Sequence, residues 1–587
     1  MKHKVIRLLF YLFFAALVWR AHGALAFSRG EAVNFNVDPE YDYSGRSQIK
    51  ATLMQVGDKA LYYVDDDWWT SLGNQEMAND AILSLLVEFD RTIYPRLNKV
   101  YGSEWSPGID NEIRIVILLT RLRDDAGAYF NSIDEYSRSQ MPVSNEREMI
   151  YLNGTYLTSS RMKSYLAHEF QHLINFYQKE KLRNLAEDVW LNEARSEYAS
   201  TICGYDNDYK GSQLEKRVNE FLRNPSDSLT EWQNETADYA PANLFMQYLV
   251  GRYSEAILTK MMQSEAVGIA SIDAAFKGVG LDERFADVFT NWTVTNYVND
   301  CQLGTGQKFC YLSAKLAYAQ LHLNPTLVKI LEVKEGEAFI FSDYTKDWAA
   351  HWYKILSQGA GLNLILNFSG EAAANFHVPI LVYYNNGSQT IRDLNFDKNQ
   401  QGQDLIFNFG NEVRAIILIP SSQEKVSGFS FDEPVRQFSY SVVITASSEV
   451  HEIVLPPPLN NDATSSVAKP NYPDGSLIRA QGDYKVYVIS GGYKRWLQSP
   501  EILFAYPHLN WQSIIEVTPA ERDWYKDSWL IRAAGDFRVY EINGDLSRHW
   551  LNMTAEQFSA SGRSWDMVFL VNKTERDIYR TGAEVMK

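Results

Sequence analysis

The sequence predicts a multidomain protein in which a mixed α+β domain is followed by an all-β sandwich and two small β-rich repeat modules. Three observations predict this order. Apolar residues recur at helical spacing up to residue 298, short alternating runs separated by turn residues replace them from 316 to 447, and a unit of about 53 residues then occurs twice. The predicted boundaries are 1–26 for a signal peptide, 27–312 for the α+β domain with a mixed half to about 160 and a helical half after it, 313–449 for the β-sandwich, 450–473 for a Pro/Asn/Ser linker, and 474–526 and 527–582 for the two repeats.

The first 26 residues have the pattern of a secretory signal. A basic start is followed by the apolar run Leu8–Trp19 and by Ala24-Leu25-Ala26, which fits a small-residue cleavage site. The run is too short to cross a bilayer, which takes about 20 apolar residues, although a retained anchor is the alternative. We therefore expect no transmembrane segment in the mature chain and a protein that is secreted or held at the cell surface, with the periplasm as the other destination.

Composition and charge narrow the class of partner. A hydrophobic content of 45% is enough to build folded cores. The formal charge of −17 becomes −21 without the four basic residues of segment 1–26, which carries no acid. A chain this acidic is unsuited to nucleic acid or to an anionic membrane surface.

The segment 165–198 carries the strongest chemical pattern. It contains His168-Glu169-Phe170-Gln171-His172, an H-E-x-x-H sequence, within apolar residues at three-to-four spacing. On the predicted helix the two histidines stand one turn apart on one face. Two imidazoles in this arrangement can bind one Zn²⁺, and Glu169 between them can reach a water beside the ion. An ordinary helix with two unrelated histidines is the alternative.

A catalytic zinc site needs a third protein ligand. The sequence has no other histidine between Phe27 and Cys310, and Asn175 and Gln178 stand where a metzincin would have Gly and His. A carboxylate remains as the third ligand. Glu193, 21 positions after His172 on a second predicted helix, is a candidate, although Glu193 taken by itself fits a solvated helix carboxylate equally well. Glu197, one turn further on, could orient a ligand from the second shell.

The region from Leu61 to Asn299 resembles the hyicolysin-type secreted bacterial zinc peptidases of the gluzincin clan. The likeness lies in HEFQH followed about twenty residues later by WLNE, and in several shorter pieces. One departure is Ala194, where these relatives usually carry Gly, which puts the tightness of a turn there in doubt. The shorter pieces are Ile93-Tyr94-Pro95, the strand Ile113–Leu119, GAYF at 127–130, REMIYLN at 147–153, WLNEARSEYAS at 190–200 and ANLFMQYLVGRY at 242–253.

The resemblance implies a zincin-like (gluzincin) α+β fold and the roles of the site residues. It implies that Glu193 is the third zinc ligand beside His168 and His172, and that Glu169 is the general base. By likeness to aminopeptidases of the clan, Tyr239 would donate to the developing oxyanion, with a tyrosine packed at a helix start as the alternative. By likeness to zinc peptidases with this helix, Gly127, Ala128 and Tyr129 would form an edge strand that pairs with the substrate backbone; an ordinary core strand is the alternative.

The predicted function is that of an exported zinc endopeptidase with a protein or peptide as substrate. A catalytically idle surface adhesin built on the same scaffold is the first alternative. An aminopeptidase is the second, and it is disfavoured because the sequence has no G-x-M-E-N-like motif for the substrate amine. Ca²⁺ is a weaker prediction at Asp206-Asn207-Asp208, because Lys210 stands where another oxygen ligand would be needed.

Secondary structure in the first domain follows from periodicity. Met77–Val100 reads as one amphipathic helix, and three strands precede the motif. Cys301 and Cys310 flank a short polar loop, so export would permit a disulfide between them, with Cys203 as a buried free thiol. The strands are expected at 112–119, 127–131 and 148–152, and the helices after the motif at 213–222, 242–253, 256–262, 272–276 and 285–298.

The C-terminal half carries no metal or nucleophile pattern. Short runs between 339 and 444 are typical of a β-sandwich. In the repeats, LIRA at 477–480 recurs at 530–533. These modules suggest attachment to the cell surface or the substrate through exposed aromatic residues. Plain core packing of those aromatic residues is the favoured interpretation. The other recurring pairs are Gly482-Asp483-Tyr484 with Gly535-Asp536-Phe537, Val486-Tyr487 with Val539-Tyr540, Arg495 and Trp496 with Arg548 and Trp550, and Trp511 with Trp565.

Overall fold

The protein is described by a computed structural model that covers residues 27–446 and 472–586. The predicted signal peptide and nearly all of the predicted linker lie outside these residues. The chain forms two compact units, Met1–Asn460 and Asn461–Lys587. Short gaps fall within 319–325, 333–337, 359–360, 481–484, 507–512, 535–537, 544–545 and 555–562.

The first unit begins with a six-stranded mixed sheet in the order β1-β2-β3-β4-β6-β5. Strands β3, β4 and β6 run parallel, and β5 pairs antiparallel with β6. All six residues of β4 are buried, as expected for a central strand covered on both faces. Among the described residues β5 forms the edge of the sheet. The strands are β1 Ala32–Asn36, β2 Gln48–Val56, β3 Ala60–Asp65, β4 Ile115–Thr120, β5 Ala128–Phe130 and β6 Met149–Asn153.

Three helices lie between β3 and β4, and the helices from α4 onward make up the second half of this region. The predicted helix over 77–100 is divided into α2 and α3, which are joined by a π-helical turn at Phe89–Ile93. The spacing of the apolar residues does not indicate this wider turn. In the segment 31–69, where the sequence predicts one or two strands such as 60–64, the structure has three strands and most of a short helix. The helices are α1 Asp66–Ser71, α2 Gln75–Glu88, α3 Tyr94–Tyr101, α4 Met162–Asn175, α5 Val189–Cys203, α6 Gln213–Arg223, α7 Tyr239–Tyr253, α8 Ala256–Gln263, α9 Gly268–Gly278, α10 Phe285–Val298 and α11 Ala314–Tyr318.

Helices α4 and α5 pack against each other at the centre of the largest apolar core. The apolar face of α4 is fully buried through Leu166, Phe170 and Leu173, as the spacing predicts. Helix α5 ends at Gly204, whose φ of +84° is the left-handed conformation that a helix C-terminus favours and that glycine adopts without strain. The core therefore fixes the two helices that carry the metal-binding pattern.

An all-β region follows within the same unit and consists of two packed layers. Strands β13-β12-β15-β9-β7 form one layer and β14-β10-β17-β8 the other, and the layers are joined only where Phe409 pairs with Val413 among the described residues. Residues of both layers share one core. The strands are β7 Thr326–Glu332, β8 Ala338–Lys346, β9 Tyr353–Gln358, β10 Leu362–Gly370, β11 Phe376–His377, β12 Pro379–Tyr384, β13 Gln389–Asp393, β14 Gln401–Phe409, β15 Val413–Leu418, β16 Ser421–Ser422 and β17 Val435–Thr445.

The all-β region packs directly on the helices. Trp348, at 2% exposure, lies among the aromatic rings of Phe285 and Phe289 on α10. Nearby, the backbone N–H of Leu229 donates to the carbonyl of Trp348, and Ser228 Oγ donates to the carbonyl of Asp347. The segment between α6 and α7 is therefore held by the β-layers.

The second unit contains two modules with matching strand order. The first sheet is β21-β18-β19-β20-β22 and the second is β26-β23-β24-β25-β27. Trp496 pairs with Tyr487 and Trp550 with Tyr540, so the two tryptophans occupy matching positions. The strands are β18 Leu477–Ala480, β19 Tyr487–Ser490, β20 Tyr493–Trp496, β21 Ile514–Val517, β22 Lys526–Asp527, β23 Leu530–Ala533, β24 Tyr540–Ile542, β25 Ser547–Asn552, β26 Val568–Val571, β27 Arg580–Thr581 and β28 Val585–Met586, with helices α12 Pro500–Phe504, α13 Pro519–Trp524 and α14 Lys573–Ile578.

Two further expectations can be compared with the structure. The disulfide between Cys301 and Cys310 is confirmed, and Cys203 is a buried free thiol. Among the described helices, none combines the length and the apolar composition that a membrane span requires.

Candidate metal centre

Three side chains from α4 and α5 converge on one point. His168 and His172 stand one turn apart on α4, and Glu193 faces them from α5. Their ligand atoms all lie within 4.8 Å of one another, and within the described part of the chain no other His, Cys, Asp or Glu residues form such a group of three. This group can hold a metal ion.

The spacing of these atoms matches a tetrahedral zinc site. Two ligands that are each 2.0–2.1 Å from a tetrahedral ion lie about 3.3 Å apart. The Nε2 atoms of His168 and His172 are 3.1 Å apart, Nε2 of His168 is 3.2 Å from Glu193 Oε2, and Nε2 of His172 is 3.4 Å from Glu193 Oε1. Glu193 Oε2 is buried and accepts no hydrogen bond of good geometry from the described residues. The residues present therefore fit the ion.

The position of Ala194 differs from what the resemblance implied. Ala194 lies inside α5 and is fully buried in the core, so the chain makes no turn at this residue. Its small side chain packs among the same core residues as Ala167 of α4. The departure from Gly therefore leaves the direction of Glu193 unaffected.

Glu197 holds one of the histidines from behind. Its Oε1 is 3.5 Å from Nδ1 of His168, on the opposite side of the ring from the ligand atom. Arg217 on α6 donates to both oxygens of Glu197 at 2.8 Å, and Asn243 on α7 donates at 3.2 Å. Burial alone would raise the pKa of Glu197, but Arg217 outweighs it and lowers that pKa. Glu197 therefore stays ionised and can fix the ring of His168.

The other histidine has a neutral partner. Nδ1 of His172 lies 3.2 Å from Ser196 Oγ, which in turn donates to Gln171 Oε1. A ring nitrogen held in this way fixes the orientation of the imidazole. The two ligands thus have different supports, one charged and one uncharged.

Electrostatics in the metal-free site couple the histidines to the carboxylates. Burial would raise the pKa of Glu193, but the two imidazoles outweigh burial and hold that pKa far below its ordinary value. Burial would lower the pKa of His168, yet Glu193, Glu169 and Glu197 together raise it to about 9. Because a ligand imidazole must be neutral, binding of a metal displaces a proton from this site.

Glu169 lies beside the group with its carboxylate buried. The backbone N–H of Phe130 on the edge strand is close enough to act on its pKa, and the exposure of Glu169 is 8%. Burial is the main cause that raises the pKa of Glu169 above its ordinary value. A carboxylate with a raised pKa is a stronger base than a solvated one.

His168 and Glu169 line a cleft of about 270 Å³. Gly127 and Ala128 at the start of β5 line one side of this cleft. A Cβ on Gly127 would approach the ring of Tyr165 to 2.6 Å, so only glycine lets the edge strand lie this close to α4. Tyr129 does not line the cleft: its side chain is stacked between Tyr41 and Tyr151 in the core, because alternate residues of a strand point to opposite faces.

Tyr239, the first residue of α7, lies across the cleft from the edge strand. It lines the cleft, and its ring centre is 6.4 Å from that of His168. The guanidinium of Arg217 stands 4.6 Å over its ring, and Trp232 packs against it at 4.8 Å. Burial raises the pKa of Tyr239 well above its ordinary value, so its hydroxyl keeps its proton and can donate.

Several site residues had no signal in the sequence. Arg217 lies on an amphipathic helix whose charged residues look alike, and only the helix packing shows that it meets Glu197. Tyr41 lines the cleft from a segment before residue 61, outside the resemblance, and Glu169 and Glu193 are close enough to affect its pKa. Both contacts span long distances in the chain, where neither periodicity nor spacing is informative.

The calcium prediction gains no support at Asp206–Asp208. Asp206 accepts hydrogen bonds from Thr201 Oγ1 and from the backbone of Leu214, and Lys315 donates to Asn207 Oδ1. These contacts take up oxygen atoms that a calcium loop would need.

Comparison with known proteins gives one relative in sequence. No family model matches the chain. Solved structures with weak similarity to the chain include the M60 catalytic domain with the CBM51-1 and CBM51-2 domains from Clostridium perfringens ZmpB (8% identity, 67% of this chain and 59% of that chain, TM-score 0.22). They also include PliG, a periplasmic inhibitor of g-type lysozyme from Aeromonas hydrophila (10% identity, 20% of this chain and 96% of that chain, TM-score 0.14). Both scores are too low to indicate a shared fold. The chain is 27% identical over 236 residues to the neutral metalloprotease ShpI of Staphylococcus hyicus, which covers 35% of this chain and 51% of that relative, so it is similar to a metalloprotease over about half of that protein's length.

Proposed function

We propose that the protein is an exported zinc-dependent endopeptidase of the hyicolysin type. The observation that carries the proposal is the convergence of His168, His172 and Glu193 at zinc-ligand spacing, with His168 and the buried carboxylate of Glu169 lining an open cleft. The distant similarity to a metalloprotease supports the same reaction class.

His168, His172 and Glu193 would hold the ion through Nε2, Nε2 and a carboxylate oxygen. When bound, Zn²⁺ supplies a Lewis acid that lowers the pKa of a water and polarises a carbonyl oxygen. Glu197 and Ser196 would keep the two imidazole rings in place from their Nδ1 sides.

Glu169 would act as the general base. Its carboxylate takes a proton from a water in the cleft as the water oxygen attacks the carbonyl carbon of the peptide bond. Glu169 then gives this proton to the amide nitrogen, and the C–N bond breaks to leave an amine and a carboxylic acid. The buried position of Glu169 supports this role, because a raised pKa suits a group that must both accept and release a proton.

Tyr239 and the edge strand would position the substrate. The Tyr239 hydroxyl would donate a hydrogen bond to the oxygen that becomes negative as the carbonyl is attacked. Backbone groups of β5, at Gly127 and Ala128, would pair with an extended peptide by strand addition. A cleft that holds the peptide by its backbone does not require a terminal amine, which favours an endopeptidase.

The test is a zinc-to-protein ratio combined with casein digestion, with and without a chelator. We expect one zinc ion per chain, and proteolysis that is lost on chelation and restored by zinc. Glu169→Gln should keep the zinc and lower kcat by about 10²- to 10⁴-fold. Normal turnover by Glu169→Gln would refute the base, and a zinc-loaded wild type that digests neither casein nor gelatin would favour the idle adhesin.

A further inference from the structure

Helix α6 forms the wall of the cleft beyond the metal centre. It contributes Gln213, Lys216 and Arg217 to the lining, three residues that fall on one face because they are three and four positions apart. Two of them carry positive charge. Neighbouring carboxylates neutralise Arg217 more completely than Lys216.

Arg217 is paired with two carboxylates of the protein, those of Glu197 and Glu220. It makes two hydrogen bonds of 2.8 Å to Glu197 and a third of 2.8 Å to Glu220, and only 6% of its side chain is exposed. Its charge is therefore neutralised within the site, and it supports Glu197 behind the metal ligand His168.

Lys216 lacks such a partner. The carboxylate oxygen nearest to its ammonium among the described residues is Oε1 of Glu220, at 3.7 Å, and the same carboxylate already accepts from Arg217. One carboxylate thus serves two cations, and 34% of the Lys216 side chain remains exposed to the cleft. Two further charges act on Lys216: the carboxylate of Glu197, whose two oxygens both accept from Arg217, and the cation Arg161.

The other acids of the cleft do not correct this imbalance. Four carboxylates line the cleft, namely Glu169 and Glu197 beside the metal ligands, and Asp125 and Glu235. Asp125 is paired with Arg123 at 2.9 Å, and Glu235 is exposed on the loop before α7. An ammonium that shares its carboxylate partner with another cation, in a partly enclosed cleft, attracts an anion more strongly than it would in bulk water.

Lys216 also has a defined place relative to the metal ligands. Arg161 immediately precedes α4, and Tyr165, one turn before His168, lines the same part of the cleft. The N-terminal end of a helix carries partial positive charge, which adds to that of Lys216. Arg161 therefore lies about two turns of α4 before the ligand His168, which is roughly 10 Å along the helix axis.

We propose that Lys216 forms a subsite for a carboxylate of the substrate, so that the cleft selects peptides with Asp or Glu, or with a free C-terminal carboxylate, next to the position at the metal centre. The inference rests on the proposed peptidase function. The carboxylate would accept a hydrogen bond from the Lys216 ammonium, with Arg161 and the first turn of α4 adding electrostatic attraction.

The experiment compares quenched fluorescent peptides that differ only by Glu or Gln at each position around the cleaved bond. At one position we expect kcat/KM for Glu to exceed that for Gln by about tenfold, since one charge pair in a half-enclosed site is worth roughly that factor. The ratio should fall to about one in Lys216→Met, stay high in Lys216→Arg, and shrink at high salt. Arg223→Gln, on the exposed end of the same helix, is the matched control and should keep the wild-type ratio.

A second arm separates the two sources of carboxylate. Peptides that end at the selected position with a free carboxylate or an amide show whether the terminal group alone produces the preference. A Glu/Gln ratio of one at every position, or a tenfold ratio that persists in Lys216→Met, would overturn the subsite.

A binding measurement keeps this inference distinct from the proposed function. Zinc-loaded Glu169→Gln is titrated with labelled Glu and Gln peptides, and the Kd values should differ by about tenfold in the same direction. If wild type cleaves no peptide but this preference is present, the peptidase proposal fails and the subsite stands. If cleavage occurs and no preference appears in either assay, the subsite is wrong and the peptidase proposal stands.

Discussion

Two clusters of ionisable and polar groups join α4 to α5, and they differ in the balance of donors and acceptors. The first is the metal centre of His168, His172 and Glu193. The second, here called the brace, consists of Asn175, Lys179, Glu187 and Arg195 and lies about one helical turn further along. In the brace, Arg195 donates to Asn175 at 2.9 Å and to Glu187 at 2.8 Å, and Lys179 donates to the carbonyls of Ser264 and Ala266.

The difference separates a structural cluster from a binding site. Both oxygens of Glu187 receive N–H donors, from Arg195 on one side and from the backbone of Gly268 on the other. In the metal centre, three atoms that each offer a lone pair point at one another. A buried cluster that lacks donors can be completed by a cation, whereas a cluster supplied with donors has no vacant place for one. Substitutions in the two clusters should therefore have different consequences.

The largest expected effect is a loss of stability in the brace. Arg195→Met leaves Glu187 buried with Lys179 at 3.6 Å as its remaining cation, and we expect the free energy of unfolding to fall by about 3–5 kcal/mol. Urea denaturation followed by tryptophan fluorescence measures it. Arg223→Gln, an exposed control, should change it by less than about 0.5 kcal/mol. If Arg195→Met were as stable as wild type but bound no zinc, the brace would contribute to metal binding, and the distinction between the two clusters would be wrong.

In the metal centre, the expected loss is of affinity and not of fold. Glu193→Gln should weaken zinc binding by more than about a hundredfold, because a first ligand contributes more than the groups that support it. Competition with a chromophoric chelator measures the dissociation constant. The unfolding midpoint of the metal-free variant should stay close to that of the metal-free wild type, and unchanged zinc affinity would show that Glu193 is not a ligand.

A smaller effect on zinc affinity is expected for Glu197, which contacts the ligand His168. Glu197→Gln keeps the shape of the side chain but loses the charge that holds Nδ1 of His168, and it leaves the buried Arg217 with Glu220 as its one remaining carboxylate partner among the described residues. We expect zinc affinity to fall by about ten- to a hundredfold, the range for second-shell partners. The same chelator competition measures it, and an effect as large as that of Glu193→Gln would mean that Glu197 binds the ion directly.

A third buried cluster should make the free energy of unfolding depend on pH. Glu135 and Glu148 lie side by side at 0% and 2% exposure, and neither oxygen of Glu135 meets a donor in the described part of the chain. Burial and their mutual repulsion raise the pKa of Glu135, and burial raises that of Glu148; Asp110, Asp134 and Lys181 are the other charged groups that face the pair. Unlike the metal centre, this pair has no third ligand from a described side chain.

The sign of the pH effect follows from these shifts. Carboxyls with a raised pKa bind more protons in the folded protein than in the unfolded chain, so this pair makes the free energy of unfolding fall as pH rises above about 4.5. Glu135→Gln should therefore gain about 1–2 kcal/mol relative to wild type between about pH 5 and about pH 8. Urea denaturation of both proteins at the two values tests this, and a difference that does not change with pH would show that the pair does not titrate.

Local features of the site were predictable from sequence, and long-range ones were not. The arrangement of His168 and His172 depends only on the geometry of one helix, so the H-E-x-x-H spacing is sufficient. The approach of Glu193 depends on how α4 packs against α5, and it came from the resemblance. Arg217 and Tyr41 meet the site through contacts between distant segments, which leave no periodic trace.

The same limit applies to the fold. The apolar runs at 379–384 and 438–444 predict strands, and β12 and β17 lie at or near these positions. The π-helical turn at Phe89–Ile93 interrupts a helix without a change in apolar spacing, because its residues remain buried on the same side. Strands β7 and β9 were missed because their sequences, TLVKILE and YKILSQ, do not alternate cleanly between apolar and polar residues.

The anchoring of residues 228–229 to Asp347 and Trp348 sets the smallest piece of this chain that can keep an intact cleft. Cutting the polypeptide after the helices would uncover the rings of Phe285 and Phe289 and release the loop that leads into Tyr239. A shorter piece that lacks the β-layers would therefore lose the contacts that cover these rings and hold this loop.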